Sequence, residues 1–183
     1  MARGFKPRKA AQVVAFLVQG RGGRTDIIDV IKLAYLSDRT FMDRYDRPIL
    51  FDDLYCFDDG PVDSQTYDSI KTEGKLDRPW SDYIKPRRGY EIAIVRAFQP
   101  EEFDELSPAE ERVMSDVLDE HKHRRSFKLV DWIHDNCREW SNPRGTSVYL
   151  PYHEVWKALG RTDIEKMDRH IDDLMNIAYS LKE

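Results

Sequence analysis

With 183 residues, 40% of them hydrophobic and 34% charged, and a net charge of −5, the chain has the make-up of one well-solvated globular domain with a single core. The negative charge opposes phosphate backbones and anionic membrane surfaces, which argues against nucleic acid as a partner. Cys56 and Cys137 are too few and too far apart for a disulfide framework, the N-terminus lacks a secretory pattern, and the apolar stretches fall far short of the ~20 residues that cross a bilayer, so the expectation is a reduced, cytoplasmic protein and no membrane.

Met1 to Lys9 carries Arg3, Lys6, Arg8 and Lys9 around Pro7 and reads as a flexible basic arm, with one domain expected over residues 10–183. Ala10 to Gln19 begins a short helix that Gly20 ends. The next helix, Asp26 to Tyr45, puts Ile27, Ile31, Ala34, Tyr35, Phe41, Met42 and Tyr45 on one face, and Val30, Leu33 and Leu36 widen that face. Such a helix belongs near the middle of a fold. Its polar stripe is Asp29, Lys32, Arg39 and Asp43, with Asp29 to Lys32 and Arg39 to Asp43 at pairing distance.

Between Arg47 and Tyr90 the helical period gives way to short segments punctuated by Pro48, Gly60-Pro61, Gly74, Pro79 and Pro86. Leu54 to Phe57 and Tyr90 to Phe98 are rich in β-branched and aromatic residues and are expected to pair as a small antiparallel sheet. Gly60-Pro61-Val62 reads as a stiff turn, and Val62 to Lys71 as a short helix. The helical period returns at Ser107-Pro108-Ala109-Glu110, a capping box with proline at the first helical position. That helix runs to about His121, Ser126 caps another through Asn136, and Pro151 to Leu159 forms a short one before Gly160. Thr162-Asp163-Ile164-Glu165 opens a last helix with Ile164, Met167, Ile171, Leu174, Ala178 and Leu181 as its buried stripe. The string Gly-Arg-Thr-Asp-Ile precedes a helix twice, at 23–27 and 160–164, but the following residues diverge at once, so it is a repeated helix start and not a duplication. The fold class is mainly α (α+β): a single-domain helical bundle with a small antiparallel β-sheet or hairpin.

Chemical motifs are sparse. Gly20 to Thr25 precedes a helix as an anion-binding nest would, but it lacks a phosphate loop's Lys-Ser/Thr ending, and Asp26 and Asp29 would repel a phosphate. His134 and Cys137 lie one helical turn apart with His121 and His123 nearby, and Asp52-Asp53 and Asp58-Asp59 flank a strand, the raw material of a metal-dependent or phosphate-handling enzyme. His134 nevertheless shares a face with Phe127, Val130 and Cys137, where a core histidine sits, and no calcium-loop spacing or nucleophile elbow accompanies the acids, so neither a catalytic residue, a metal nor a cofactor is assigned. The basic runs His121 to Arg125 and Lys85 to Arg88 are short and set among acids. They leave a DNA-binding regulator of its own operon as a further alternative without a clear helix-turn-helix.

Lys32-Leu33-Ala34-Tyr35-Leu36-Ser37-Asp38-Arg39, then Tyr45-Asp46-Arg47-Pro48-Ile49, then Gly60-Pro61-Val62-Asp63-Ser64-Gln65-Thr66-Tyr67-Asp68 resemble the Panacea domain of SocA-like antitoxins, also called phage-associated GepA-like proteins. Leu106-Ser107 with Glu110, and Leu129-Val130-Asp131 with His134 and Trp140, resemble the same pattern, so the likeness covers roughly residues 10 to 145. Asp46 stands where many relatives have glycine. The resemblance implies a bacterial or prophage antitoxin without catalytic activity that neutralises a co-encoded protein toxin by direct binding, either blocking it or delivering it to a protease. It also marks Lys32, Tyr35, Asp38, Arg39, Arg47, Pro48, Gly60, Pro61, Val62, Tyr67, His134 and Trp140 as motif or partner-binding positions. The two prolines fix φ and would preorganise a contact surface.

Overall fold

The computed structural model describes residues 4–72 and 74–180, without the side chains of residues 178–180. Its elements run α1 (Pro7–Gly20), β1 (Arg24–Asp26), α2 (Ile27–Tyr45), β2 (Leu54–Phe57), β3 (Gly60–Asp63), α3 (Ser64–Ile70), α4 (Trp80–Tyr83), β4 (Ile84–Arg88), β5 (Glu91–Ile94), α5 (Pro108–Glu120), α6 (Phe127–Asn136), β6 (Val148–Tyr149), α7 (Tyr152–Ala158) and α8 (Ile164–Ser180). This is the mainly helical single domain with small antiparallel sheets that the patterning predicts.

α2 is the axis of the molecule. Its apolar residues are too numerous for one face, so α1, α5, α6 and β3 all pack on it, and Val30, Leu33, Ala34, Tyr35 and Met42 lose essentially all contact with water. α1 contributes small residues, Ala10, Ala11 and Ala15, which let helices approach closely. The approach is closest at Gly20, where an added Cβ would lie 2.4 Å from Leu118 Cδ1 on α5. α5 starts as its capping box demands: Ser107 Oγ accepts from Glu110 N–H, and Glu110 Oε2 accepts from Ser107 N–H.

The strands form two sheets, ordered β1-β5-β4 and β3-β2-β6, all antiparallel. The expected pairing of Leu54–Phe57 with the segment after Tyr90 is therefore corrected. β2 instead folds back on its immediate neighbour β3, while β5 sits between β1 and β4. Gly60-Pro61-Val62 is also not the turn itself. The turn is Asp58-Asp59, and Gly60 at φ +105° starts β3, whose register pairs Phe57 with Gly60 and Cys56 with Pro61. Pro61 is tolerated because β3 is an edge strand and its missing N–H breaks no ladder.

The described part of the expected basic arm is docked. Phe5 is buried, Pro7 opens α1, and Lys9 Nζ lies 2.6 Å from the buried Glu110 carboxylate, a charge that needs a cation beside it. Residues 1–3 lie outside the described residues. So do Leu181 and the side chain of Ala178, while Met167 and Ile171 hold the buried stripe of α8.

The pairs expected along α2 do not form. Asp29 is buried against Arg21, 2.8 Å away, and also accepts from Thr25 Oγ1, while Arg39 pairs with Glu139 at 2.6 Å. The glycine-rich turn before α2 thus spends its first arginine inside the protein. Arg21 also donates to the carbonyls of His121 and Arg124, tying α1 to the end of α5.

Candidate functional site

Most of the motif residues point inward. Lys32, on α2, is 1% exposed and its Nζ donates to Pro61 O at 3.0 Å, so a lysine of the helix holds the edge strand of the hairpin. Gly60 makes room for that contact: an added Cβ would lie 3.2 Å from Ile133 Cγ2 and 3.4 Å from Lys32 Nζ. Gly60→Ala is expected to cost about 1–3 kcal/mol, from left-handed strain together with this crowding, read as a lowered urea midpoint. Burial pushes the Lys32 ammonium down to about 7, although Asp59 and Asp63 favour its charge from a distance.

Asp38 reaches the segment after Pro48. Its Oδ1 accepts from Ile49 N–H at 2.9 Å and Leu50 N–H at 3.1 Å, clamping a chain that has no helix or sheet of its own. Its other oxygen meets Asp63. Asp38 Oδ2 and both oxygens of Asp63 have no donor when the two groups are ionised, and a proton held between the carboxyls would join one oxygen of each. Desolvation raises both groups, Asp38 to about 7 and Asp63 well above its usual range. Asp52 completes this acidic cluster and caps α3, accepting from Gln65 N–H at 2.9 Å and Thr66 N–H at 2.8 Å. Tyr152 on α7 closes it by donating to Asp52 O at 2.6 Å.

The remaining motif positions lock α2 to the chain after α6. Tyr35 Oη donates to the buried Glu139 carboxylate, which also takes Arg39. His134 stacks on Trp140 at 3.7 Å between centroids, and Trp140 Nε1 donates to Phe57 O at 2.9 Å. Arg47 lies over the Phe41 ring and pairs with Glu110 at 3.1 Å. Asp46 takes the left-handed conformation that glycine would take there, φ 60° and ψ 22°, and its carboxylate pairs with Arg161 at 2.6 Å.

His134 and Cys137 are therefore packing residues here. Burial raises the Cys137 thiol to about 12, and Asp58 accepts from Gly145 N–H at 2.9 Å. Among the described residues, no three of His, Cys, Asp and Glu gather where they could hold a metal. The basic run after α5 is likewise drawn into local contacts, Lys122 with Asp119 and Arg124 over Trp132.

What faces solvent is a groove of about 440 Å³ between the first turns of α2, the β2-β3 hairpin and the start of α6. Ile27, Ile28 and Ile31 make one wall, and Phe57, Val62 and Tyr67 the other, with Phe57 and Tyr67 packed edge to face. Tyr90 and Phe127 stand at its rim, 81% and 66% exposed. Lys32 reaches the floor, while Asp26 and Asp59 add acid at the edge. Comparison with known families matches residues 30–141 to "Antitoxin SocA-like, Panacea domain", more than half of the chain. The chain belongs to the SocA-like antitoxin family. No curated protein and no solved structure matches it. Of this Panacea domain's motif positions, Lys32, Val62 and Tyr67 line the groove; most of the others, such as Asp38 and Trp140, do not line it and make framework hydrogen bonds. The pattern that sets Phe127 on a core face with Val130, His134 and Cys137 is corrected, since Phe127 at the first position of α6 is left in water, and Tyr90, expected to start a strand, stands just before β5. The available signal was Ile27-Ile28 followed by Ile31, more apolar surface than one buried helix face requires.

Proposed function

We propose that this protein neutralises a co-encoded protein toxin in the cytoplasm by seating part of the toxin in the groove beside α2. One observation carries the reading: two large aromatic side chains, Tyr90 and Phe127, stand in water beside an apolar channel. Aromatic anchors around a pocket dominate protein–protein binding energy, and an apolar patch left open on a domain is a binding surface. The negative charge of the chain, with Asp26 and Asp59 at the rim, favours a partner that is basic around its apolar anchor.

Co-expression with the adjacent open reading frame tests this directly. Growth rescue and co-purification are expected, and Phe127→Ala should weaken binding of the purified toxin roughly tenfold without lowering the melting temperature. Unchanged affinity in that variant would move the contact elsewhere, and a harmless, non-binding neighbour would remove the antitoxin reading. Rescue that persists in a host lacking its ATP-dependent proteases assigns occlusion of the toxin. Rescue lost in that host assigns delivery to a protease.

A further inference from the structure

A second cavity, of about 230 Å³, lies where the first turn of α1 meets the chain after Pro48 and the middle of α8. Lys6, Lys9 and Arg47 line it beside Ile49, Phe51 and Leu174, and among the described residues no carboxylate lines it. In a chain of net charge −5, a cavity walled by cations runs against the overall balance. The first turn of α1 carries no acid to offset them. Glu110 does reach two of the three: with its side chain 1% exposed, it accepts Lys9 at 2.6 Å and Arg47 at 3.1 Å on one oxygen, while its other oxygen is occupied by Ser107 N–H. The exposed Lys6 ammonium has no partner among the described residues. Three positive charges thus face one negative charge.

Donors also remain. Lys9 spends one of its three N–H groups on Glu110, and Arg47 spends one on Glu110 and one on Pro48 O, so both keep N–H groups for a ligand. Solvent reaches them, the Lys9 and Arg47 side chains being 16% and 30% exposed.

We infer that this cavity binds a small organic phosphate monoester, with its phosphate among Lys6, Lys9 and Arg47 and its organic group against Phe51 and Leu174. A dianion cancels the surplus of two charges, which a carboxylate would only halve, and its three oxygens can take charge-assisted hydrogen bonds from three cations together. The volume falls below the ~300 Å³ at which drug-sized sites begin, so the organic group is small. The cavity shares no lining residue with the groove beside α2, so the inference stands apart from the toxin reading. Bound there, the ligand joins α1, the chain after Pro48 and α8, and it raises the melting temperature by binding the folded state alone.

Phenyl phosphate, benzoate and inorganic phosphate separate the contributions of charge and apolar contact. Titrated into the full-length protein at pH 8, where the monoester is a dianion, and followed by NMR at the methyls of Ile49, Leu50 and Leu174, phenyl phosphate is expected to bind about tenfold more tightly than either of the others. Lys6→Glu reverses the charge of an exposed side chain without a partner, so the fold is kept, and it should weaken phenyl phosphate about tenfold or more. Benzoate binding as tightly as phenyl phosphate overturns the charge match, and inorganic phosphate binding as tightly overturns the organic group. Phenyl phosphate that leaves these methyls unmoved, or that binds Lys6→Glu as it binds wild type, overturns the site itself.

Discussion

Asp38→Ala is expected to lower folding stability by about 2–5 kcal/mol, the sum of leaving two buried backbone donors without an acceptor. Ile49 and Leu50 are almost completely buried, and their N–H groups have Asp38 Oδ1 as partner. Neither residue belongs to a helix or strand, so no ladder bond can take over. Asp38→Asn keeps an acceptor oxygen in the same place and should lose much less. Urea unfolding of the purified proteins measures both, and an alanine variant within ~0.5 kcal/mol of wild type would show that water or relaxation replaces the carboxylate. The purified protein matters here, because a destabilised variant falls in abundance in cells and imitates loss of toxin binding.

Only some parts of this fold were legible in the sequence. Helix starts and faces were, because caps and 3.6-residue periodicity are local: Ser107 and Glu110 make the box that their spacing announces, and α2 ends at Tyr45. Sheet pairing was not, because Leu54–Phe57 carries no mark that distinguishes its neighbour β3 from the later β5 as a partner. The polar stripe of α2 misled for the same reason. Asp29, Lys32 and Arg39 sit at helical pairing distances, yet each finds its partner outside the helix, on Arg21, Pro61 and Glu139. Burial overrides a surface pairing rule, since a charge taken out of water needs the best-placed donor or acceptor, however distant in sequence.

The candidate site divides along the same line. The residues of the family motif were readable as a set, but their roles were not: Tyr35, Asp38, Gly60 and Trp140 serve internal hydrogen bonds and close packing and do not line the groove. The helical period puts Phe127 on the core face and the β-rich run puts Tyr90 in a strand, so neither pattern marks them as exposed; a single exposed aromatic has no signature until the fold brings it beside another.

The acid pair gives the second large effect, a dependence of stability on pH that a single substitution should reduce. Burial and the neighbouring carboxylates keep protons on Asp38 and Asp63 in the folded state at pH values where the unfolded chain, with ordinary carboxyls near 4, has released them. The folded state then binds more protons than the unfolded one, so stability falls as pH rises from about 4 toward 7, by about 1.4 kcal/mol per pH unit for each proton held. Asp52, also raised by burial, works in the same direction, and buried His121, held below its usual value by desolvation, opposes it below about 6.5. Above 7 Lys32, neutral in the folded protein and protonated in the unfolded chain, adds stability as pH rises, against the losses from Asp63, raised well above its usual range, and, above about 9, from the buried Cys137, Tyr35 and Tyr152. The depressed carboxylates Glu102, Glu110 and Glu154 act below about 4.5 and leave the range from 5 to 9 clear. Asp63→Asn retains a donor for Asp38 but has no proton to keep. It should therefore reduce the fall between pH 5 and 7 and raise the melting temperature at pH 7 by roughly 2–4 °C, whereas Lys32→Met should act only above pH 7, by removing the gain that Lys32 makes there. Parallel curves for wild type and Asp63→Asn between pH 5 and 7 would mean that the two carboxyls do not share a proton, and the orphaned oxygens of Asp63 would then need a different donor.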